Sequence, residues 1–331
     1  FCGLHYRDII SWSAMISAYL EHQEGKKALL LYRQMIEEEA HEGIAKVEEK
    51  EKGGRGGLKP DQRLVLLVVK ACSILAETEN ERSNYILGED EESRGPGQNR
   101  IPSVKLIGMA LHSSLRKVMG PHIDGYTGSA LVTMYGKCGD LVKAQEVFDR
   151  LPARNVVSWT ALISGYVDCG FPEKSLYFLK KMQEEGTFPD VVTYCCILRA
   201  CGIMLNTDNG HNIHSKVVKL GLESGTFLSI TLMDMYIKCG CLSEAQTIFH
   251  KLSSKDVVSW NALIVGYAEH GLAEEAFSCF EEMHSTGIYP NAITFINSLR
   301  ACSNSGAVDI GRRIHSEIIK ESFERDTQVA N

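Results

Sequence analysis

Eleven cysteines and eleven histidines are the side chains of this 331-residue chain best suited to metal ligation, covalent bridging or acid–base work. Their spacing argues against each use. A structural zinc site draws on Cys-x-x-Cys pairs, and the nearest approach here is Cys239-Gly240-Cys241. The cysteines recur instead in two phrases: Cys72, Cys201 and Cys302 in (K/R)AC, and Cys138 and Cys239 in MYxKCG. A lone cysteine returning at one fixed place is a small buried residue where helices pack closely, kept as a reduced thiol in a reducing compartment. Gly53-Gly54-Arg55-Gly56-Gly57 has the glycines of a phosphate loop but neither a preceding strand nor a following helix. No nucleophile–base pair stands out. No catalytic residue, metal ligand or cofactor is expected.

The elements that carry these phrases form an internal repeat. VVSWTALISGYVDCG, residues 156–170, returns as VVSWNALIVGYAEHG at 257–271 and as IISWSAMISAYLEHQ at 9–23. All three tryptophans, Trp12, Trp159 and Trp260, occupy the same place in it, the last two 101 residues apart. Met134-Tyr135 and Met235-Tyr236, Ala200-Cys201 and Ala301-Cys302, and His214 and His315 keep the same period. The blocks are 9–61, 62–124, 125–155, 156–190, 191–225, 226–256, 257–291 and 292–326. Phe1–Asp8 closes a preceding block and Thr327–Asn331 opens another.

Each block predicts two helices. Trp159, Leu162, Ile163 and Tyr166 are spaced i, i+3, i+4, i+7, one apolar face of an α-helix. Trp260, Leu263, Ile264 and Tyr267 repeat the pattern, as do Trp12, Met15, Ile16 and Tyr19. Gly170 and Gly271 break that helix. A second starts at Pro172 or Leu272, and Gly186 and Gly287, followed by Pro189 and Pro290, end it. Neither helix can bury its face alone, so the expected fold is all-α: an α-solenoid, a right-handed superhelix of stacked helix-turn-helix repeats.

The first two blocks carry extra segments near 37–57 and 76–107. Each is polar and Gly-rich, with seven acids and four bases. Disordered loops are expected there, because too little apolar surface is present to offset the ordering entropy. The net charge of -7 belongs mostly to these insertions, leaving a repeat body close to neutral and no strong electrostatic demand for a charged partner. No apolar run approaches the roughly 20 residues of a membrane span, so no membrane partner is expected. The chain starts at Phe1 and begins and ends inside a repeat, so it is expected to be a fragment.

VVSWxALIxGY, MYxKCG, EAxxxFxxM and G(x)xPD, in units of 35, 35 and 31 residues, resemble the pentatricopeptide repeat (PPR) family, plant PLS subclass. Tetratricopeptide repeats have another consensus and no such length cycle. The resemblance makes 9–61, 156–190 and 257–291 P units, and 125–155 and 226–256 S units. It makes 62–124, 191–225 and 292–326 L units, with Gly-x-x-(I/L)-His at Gly108–His112, Gly210–His214 and Gly311–His315. Residues 125–326 are thus six uninterrupted repeats in the order S-P-L-S-P-L.

The resemblance implies binding of single-stranded RNA, not DNA, one base per repeat, in a mitochondrion or chloroplast. A repeat array suits that ligand, whose unpaired bases expose their Watson–Crick edges at regular intervals. The family's base readers are the fifth and last residues of a repeat. Here the doubly polar pairs are Ser13/Asp61, Ser129/Asn155, Thr160/Asp190 and Asn261/Asn291. The first and third resemble guanine readers, the second an adenine reader, and the fourth a reader of C over U. Leu66/Asp124, Cys195/Gly225, Ile230/Asp256 and Ile296/Asp326 have an apolar or thiol fifth residue and should discriminate little. The implied footprint is G-N-A-G-N-N-(C/U)-N.

Ile10, Val157, Val192, Phe227, Val258 and Ile293, at the second place, resemble the family's base-sandwiching residues, and Lys137 and Lys238 are candidate phosphate contacts. Simpler roles stand beside these. The tryptophans could stack bases, but their helical companions place them in the core. His112, His214 and His315 read as structural, the lysines as solvated helix ends, and the fifth residues as polar groups tolerated on an exposed face. PLS proteins often end in a deaminase-like domain needing His-x-Glu and Cys-x-x-Cys for zinc. His315-Ser316-Glu317 supplies the first without the second. The chain is therefore expected to select sites for C-to-U editing or other RNA processing, with accessory proteins or a deaminase acting in trans. A protein–protein scaffold, or the product of a damaged gene, is the competing expectation.

Overall fold

The computed structural model describes residues 8–47, 62–86, 107–110, 112–113, 124–222 and 225–320. Their secondary structure is helical throughout, and first helices begin at the first residue of each block. These are α1 (Ile9–Glu21), α3 (Gln62–Ile86), α4 (Gly125–Lys137), α6 (Val156–Asp168), α8 (Val191–Ile203), α10 (Thr226–Lys238), α12 (Val257–Glu269) and α14 (Ala292–Ser305). Their partners are α2 (Gly25–Val47), α5 (Leu141–Asp149), α7 (Pro172–Glu184), α9 (Thr207–Lys219), α11 (Leu242–Lys251), α13 (Ala273–Ser285) and α15 (Val308–Lys320). The chain divides into two compact units. One comprises 1–171 with 184–187, the other 172–183 with 188–331.

Within each unit first helices pack on their own second helices and on the first helix of the next block, as in α4 on α5 and α6, or α12 on α13 and α14. This stacking of hairpins is the local arrangement of an α-solenoid. The core follows the repeat. Trp159 is fully buried edge-on to Phe148, with ring centroids 4.6 Å apart. Its copy Trp260 lies on Phe249 at 4.5 Å in the other unit. The tryptophans are core residues.

The helix breaks use left-handed backbone. Gly170 (φ +79°) donates to Val167 O and Phe171 N to Tyr166 O, the paired bonds of a Schellman stop. Two copies depart from glycine: Gln23 (φ 59°) and Leu205 (φ 53°). Left-handed backbone costs an L-residue about 1–2 kcal/mol, and Leu205 is 66% exposed, so its side chain returns little by burial. Leu205→Gly is therefore expected to stabilise the chain by about 1 kcal/mol, measured by urea unfolding. A loss of stability would mean that the leucine side chain contributes more than its exposure implies.

The insertions depart from expectation. Composition predicts disordered loops over 37–57 and 76–107, yet α2 continues to Val47 and α3 to Ile86. A packed helix extends at the low cost of one hydrogen bond per added residue, and Glu, Ala and Lys are strong helix formers. Arg33 and Gln34 donate to Glu37 and Glu38 at 2.7 and 2.8 Å across one turn. Glu77 even makes a tertiary contact, an ion pair to Lys137 at 3.1 Å. Residues 48–57 and 87–106 lie outside the described residues.

The Gly-x-x-(I/L)-His phrase is a packing device. A Cβ on Gly108 would stand 2.9 Å from the Met134 side chain, and one on Gly210 would stand 2.5 Å from Met235 Sδ. Five residues into the phrase, His112 Nδ1 shares a hydrogen bond with Tyr135 at 2.9 Å, and His214 Nδ1 with Tyr236 at 2.8 Å. L units 62–124 and 191–225 thus grip the Met-Tyr pair of the next block with a glycine and a histidine. Burial pushes both tyrosines up to about 12, so they stay protonated hydrogen-bond partners. Cys72 and Cys201 are fully buried, and burial pushes their thiols up to about 12 and about 11.

Candidate nucleic-acid interface

Second and fifth residues of a helix lie on one face, three apart. At the second place the face is apolar and open. Ile10, Val157, Val192, Phe227, Val258 and Ile293 are 53–73% exposed. Large apolar side chains left in water at one repeated position are a candidate contact surface. Tyr126, 73% exposed, holds the same place in block 125–155. The sequence-based candidates omit it, although the register points to it and Phe227 shows that an aromatic can hold this place.

The fifth residues are not where simple tolerance would put them. Ser13, Ser129 and Asn261 are only 4–8% exposed, which removes the reading of polar groups spread over an open face. Thr160 is half-buried. Ser129 Oγ donates to Gly125 O at 2.7 Å, back onto its own helix.

Where the last residue of a block is a described Asp or Asn, its side chain caps the next first helix, and that bond settles which of its atoms is left over. Asp190 Oδ1 accepts from Thr193 N at 2.8 Å and from Thr193 Oγ1 at 2.7 Å. Asn155 Oδ1 accepts from Ser158 N at 2.9 Å, and Ser158 returns a bond to the Asn155 backbone. Asn291 Oδ1 accepts from Thr294 N at 3.0 Å in the same reciprocal box. A helix N-terminus supplies donors only, so the cap always takes an oxygen. Asp190, whose cap bonds all fall on Oδ1, then has an acceptor oxygen remaining, whereas an Asn has its NH2 donor. Asp256 caps α12 in the same manner beside an apolar partner, Ile230, and Gly225 gives no side-chain cap at all.

Pairing differs from block to block. Asn261 and Asn291 are joined directly, Asn261 Nδ2 donating to Asn291 Oδ1 at 3.2 Å. Ser129 and Asn155 share one unit but no hydrogen bond between them is formed. Thr160 and Asp190 fall in different units. Asp61, the partner of Ser13, lies outside the described residues, as does Asp326.

The lysines are less available than their positions imply. Lys137 Nζ lies 3.1 Å from both Glu77 and Asp168. Burial pulls its pKa down, but the two carboxylates outweigh this and hold it above the ordinary value. Lys238 pairs with Asp234 at 2.7 Å on its own helix. Exposed bases absent from the sequence-based candidates stand at the ninth place of L units: Lys70, Arg199 and Arg300, the last 3.8 Å from Glu269. They open the (K/R)AC phrase, in which the cysteine is the more conspicuous residue.

Stacked helical hairpins with a repeated apolar-and-polar face define a helical-repeat protein. Models of the PPR repeat family match residues 154–202 and 255–304, and the PPR repeat model matches 10–39, 129–156 and 230–257. The chain belongs to the PPR repeat family. It is 30% identical to the pentatricopeptide repeat-containing protein At1g11290, chloroplastic, of Arabidopsis thaliana over 98% of its length and 34% of that protein's. It is 31% identical to At3g02330, mitochondrial, from the same plant, over 99% of its length and 33% of the relative's. At1g50270 gives 32% over 95% and 45%. The chain thus spans between a third and a half of these relatives. Among solved structures it is similar to the pentatricopeptide repeat protein PPR10 from maize, at 15% identity and a TM-score of 0.43 over 98% of this chain and 55% of that one.

Proposed function

We propose that this chain binds single-stranded RNA with sequence selectivity, one base per repeat, as part of a longer PLS-type protein. The observation that carries the reading is the Asn261–Asn291 pair. Two amides 30 residues apart are hydrogen bonded at the base of a face whose exposed apolar residues, Val258 and Ile293, stand on the adjacent helices α12 and α14. Apolar walls with polar groups between them suit an unstacked base, which offers a planar face on each side and a hydrogen-bonding edge. A scaffold that merely docked a protein surface would have no use for donor and acceptor atoms selected in this way.

The atoms left over by the caps agree with the base assignments. Guanine's Watson–Crick edge offers N1–H and N2–H donors and meets the acceptor of Asp190. Adenine N1 is an acceptor and meets the NH2 of Asn155. The reading therefore keeps G-N-A-G-N-N-(C/U)-N as the footprint. It places the protein in a plant organelle, where it would select transcript sites for C-to-U editing or another processing step, with deamination supplied by other protein.

The test is equilibrium binding of the 331-residue chain to a labelled strand carrying this footprint, at a stated salt concentration near physiological. Changing one of the four assigned bases is expected to weaken binding about tenfold, the lower part of the ~1–3 kcal/mol span of a good side-chain–base contact. Changing the N positions should alter little. Absence of binding would move the reading to a protein scaffold. Equal binding to every strand would keep the RNA and discard the pair assignments.

A further inference from the structure

We infer that Thr294, a residue outside the pair itself, sets the cytosine preference of block 257–291; the inference rests on the RNA-binding reading above. Thr294 Oγ1 lies 2.7 Å from Asn261 Oδ1, to which it donates, and 3.0 Å from Asn291 Oδ1. Asn261 Nδ2 in turn donates to Asn291 Oδ1, which also accepts from Thr294 N. The three side chains close a ring in which both amide oxygens are occupied. Thr294 and Asn261 are almost completely buried, so water is largely excluded from the ring.

What the ring leaves over is one hydrogen on Asn261 Nδ2 and both on Asn291 Nδ2. The site presents donors only. Cytosine offers adjacent acceptors, N3 and O2, on its Watson–Crick edge. Uracil places N3–H between its two carbonyl oxygens and would turn a donor toward donors. Without the Thr294 hydroxyl the Asn261 amide can rotate, bring Oδ1 outward and accept from uracil N3–H. The shorter of the two bonds that hold its orientation, 2.7 against 3.2 Å, therefore comes from the first turn of the following helix.

The third-place hydroxyl has other uses elsewhere. Ser158 and Ser259 donate to the backbone carbonyls of Asn155 and Asp256, at 2.9 and 2.8 Å, and leave the fifth residue alone. Ser259 is thus a control that shares the capping box but not the amide contact.

The experiment compares binding of the full chain to two strands differing only in C or U at the seventh footprint position. The wild type should favour C by about tenfold. Thr294→Val, isosteric but without the hydroxyl, should bring the ratio to within about twofold of one. Thr294→Ser should retain the preference. Ser259→Ala should weaken both strands alike and leave the ratio unchanged, as any purely stabilising role would. Thr294→Ala, which adds no bulk, takes the place of the valine variant should that fail to fold by circular dichroism.

A tenfold C preference surviving in Thr294→Val or Thr294→Ala would overturn the inference while leaving RNA binding intact. Equal binding of both strands by the wild type would overturn it in the same way. A wild type that binds neither strand overturns the functional reading and this inference together.

Discussion

Replacing Asp190 with Asn is expected to turn the guanine preference proposed for block 156–190 into an adenine preference, with a swing of about a hundredfold in the G-to-A binding ratio. The size follows from two contacts of at least about 1.4 kcal/mol each, within the range of a good side-chain–base pairing. One is lost with guanine and one gained with adenine. The fold should not register the change. Asn and Asp are equally good N-caps, and Asn retains the oxygen that accepts from Thr193 N and Thr193 Oγ1. Only the outward atom changes, from an acceptor oxygen to an NH2 donor.

The measurement is a pair of titrations with strands carrying G or A at the fourth footprint position, with thermal melting as the fold control. Unchanged melting with a reversed ratio is the expected result. Unchanged melting with an unchanged ratio would remove Asp190 from the readers.

Trp260→Ala is expected to carry the largest stability cost, about 3–5 kcal/mol, the usual span for emptying a buried aromatic site. Trp260 is fully buried, and its ring meets Phe249 edge-on at 4.5 Å, so both packing and an aromatic contact disappear. Helices of a repeat array hold only their neighbours. The damage should therefore concentrate in α10 to α14. Native-state hydrogen exchange can follow this, with lost protection in those helices and little change in α1 to α5. Uniform loss across the chain would mean that the array unfolds as one cooperative body. A cost below about 1 kcal/mol would contradict the packing itself.

Much of the fold was legible because its determinants are local. The 35-, 35- and 31-residue cycle placed the first helices at Gly125, Val156, Val191, Thr226, Val257 and Ala292, where the helices do begin. Apolar spacing, a polar cap and a left-handed glycine each act within a few residues, so they survive in a string of letters. At α2 and α3 composition misleads. It weighs burial against entropy and leaves out propagation from a helix already packed.

The candidate site divides along similar lines. The second-place residues could be named from the register, and they are exposed. The availability of Lys137 could not, because its fate depends on Glu77 and Asp168, which lie 60 residues before and 31 residues after it in the chain. Nor could the burial of Ser129 and Asn261, which depends on how closely successive hairpins stack.

The sequence by itself determined the repeat, its boundaries and the residue types at each reading position, since periodicity and capping are properties of neighbouring residues. Only the tertiary structure decided how the fifth-place amide of block 257–291 is held, whereas the cap bonds of Asn155, Asp190 and Asn291 are local. The amide is held by the hydrogen bonds Asn261 to Asn291 and Thr294 to Asn261, 30 and 33 residues apart. Those bonds exist only once α12 and α14 lie side by side.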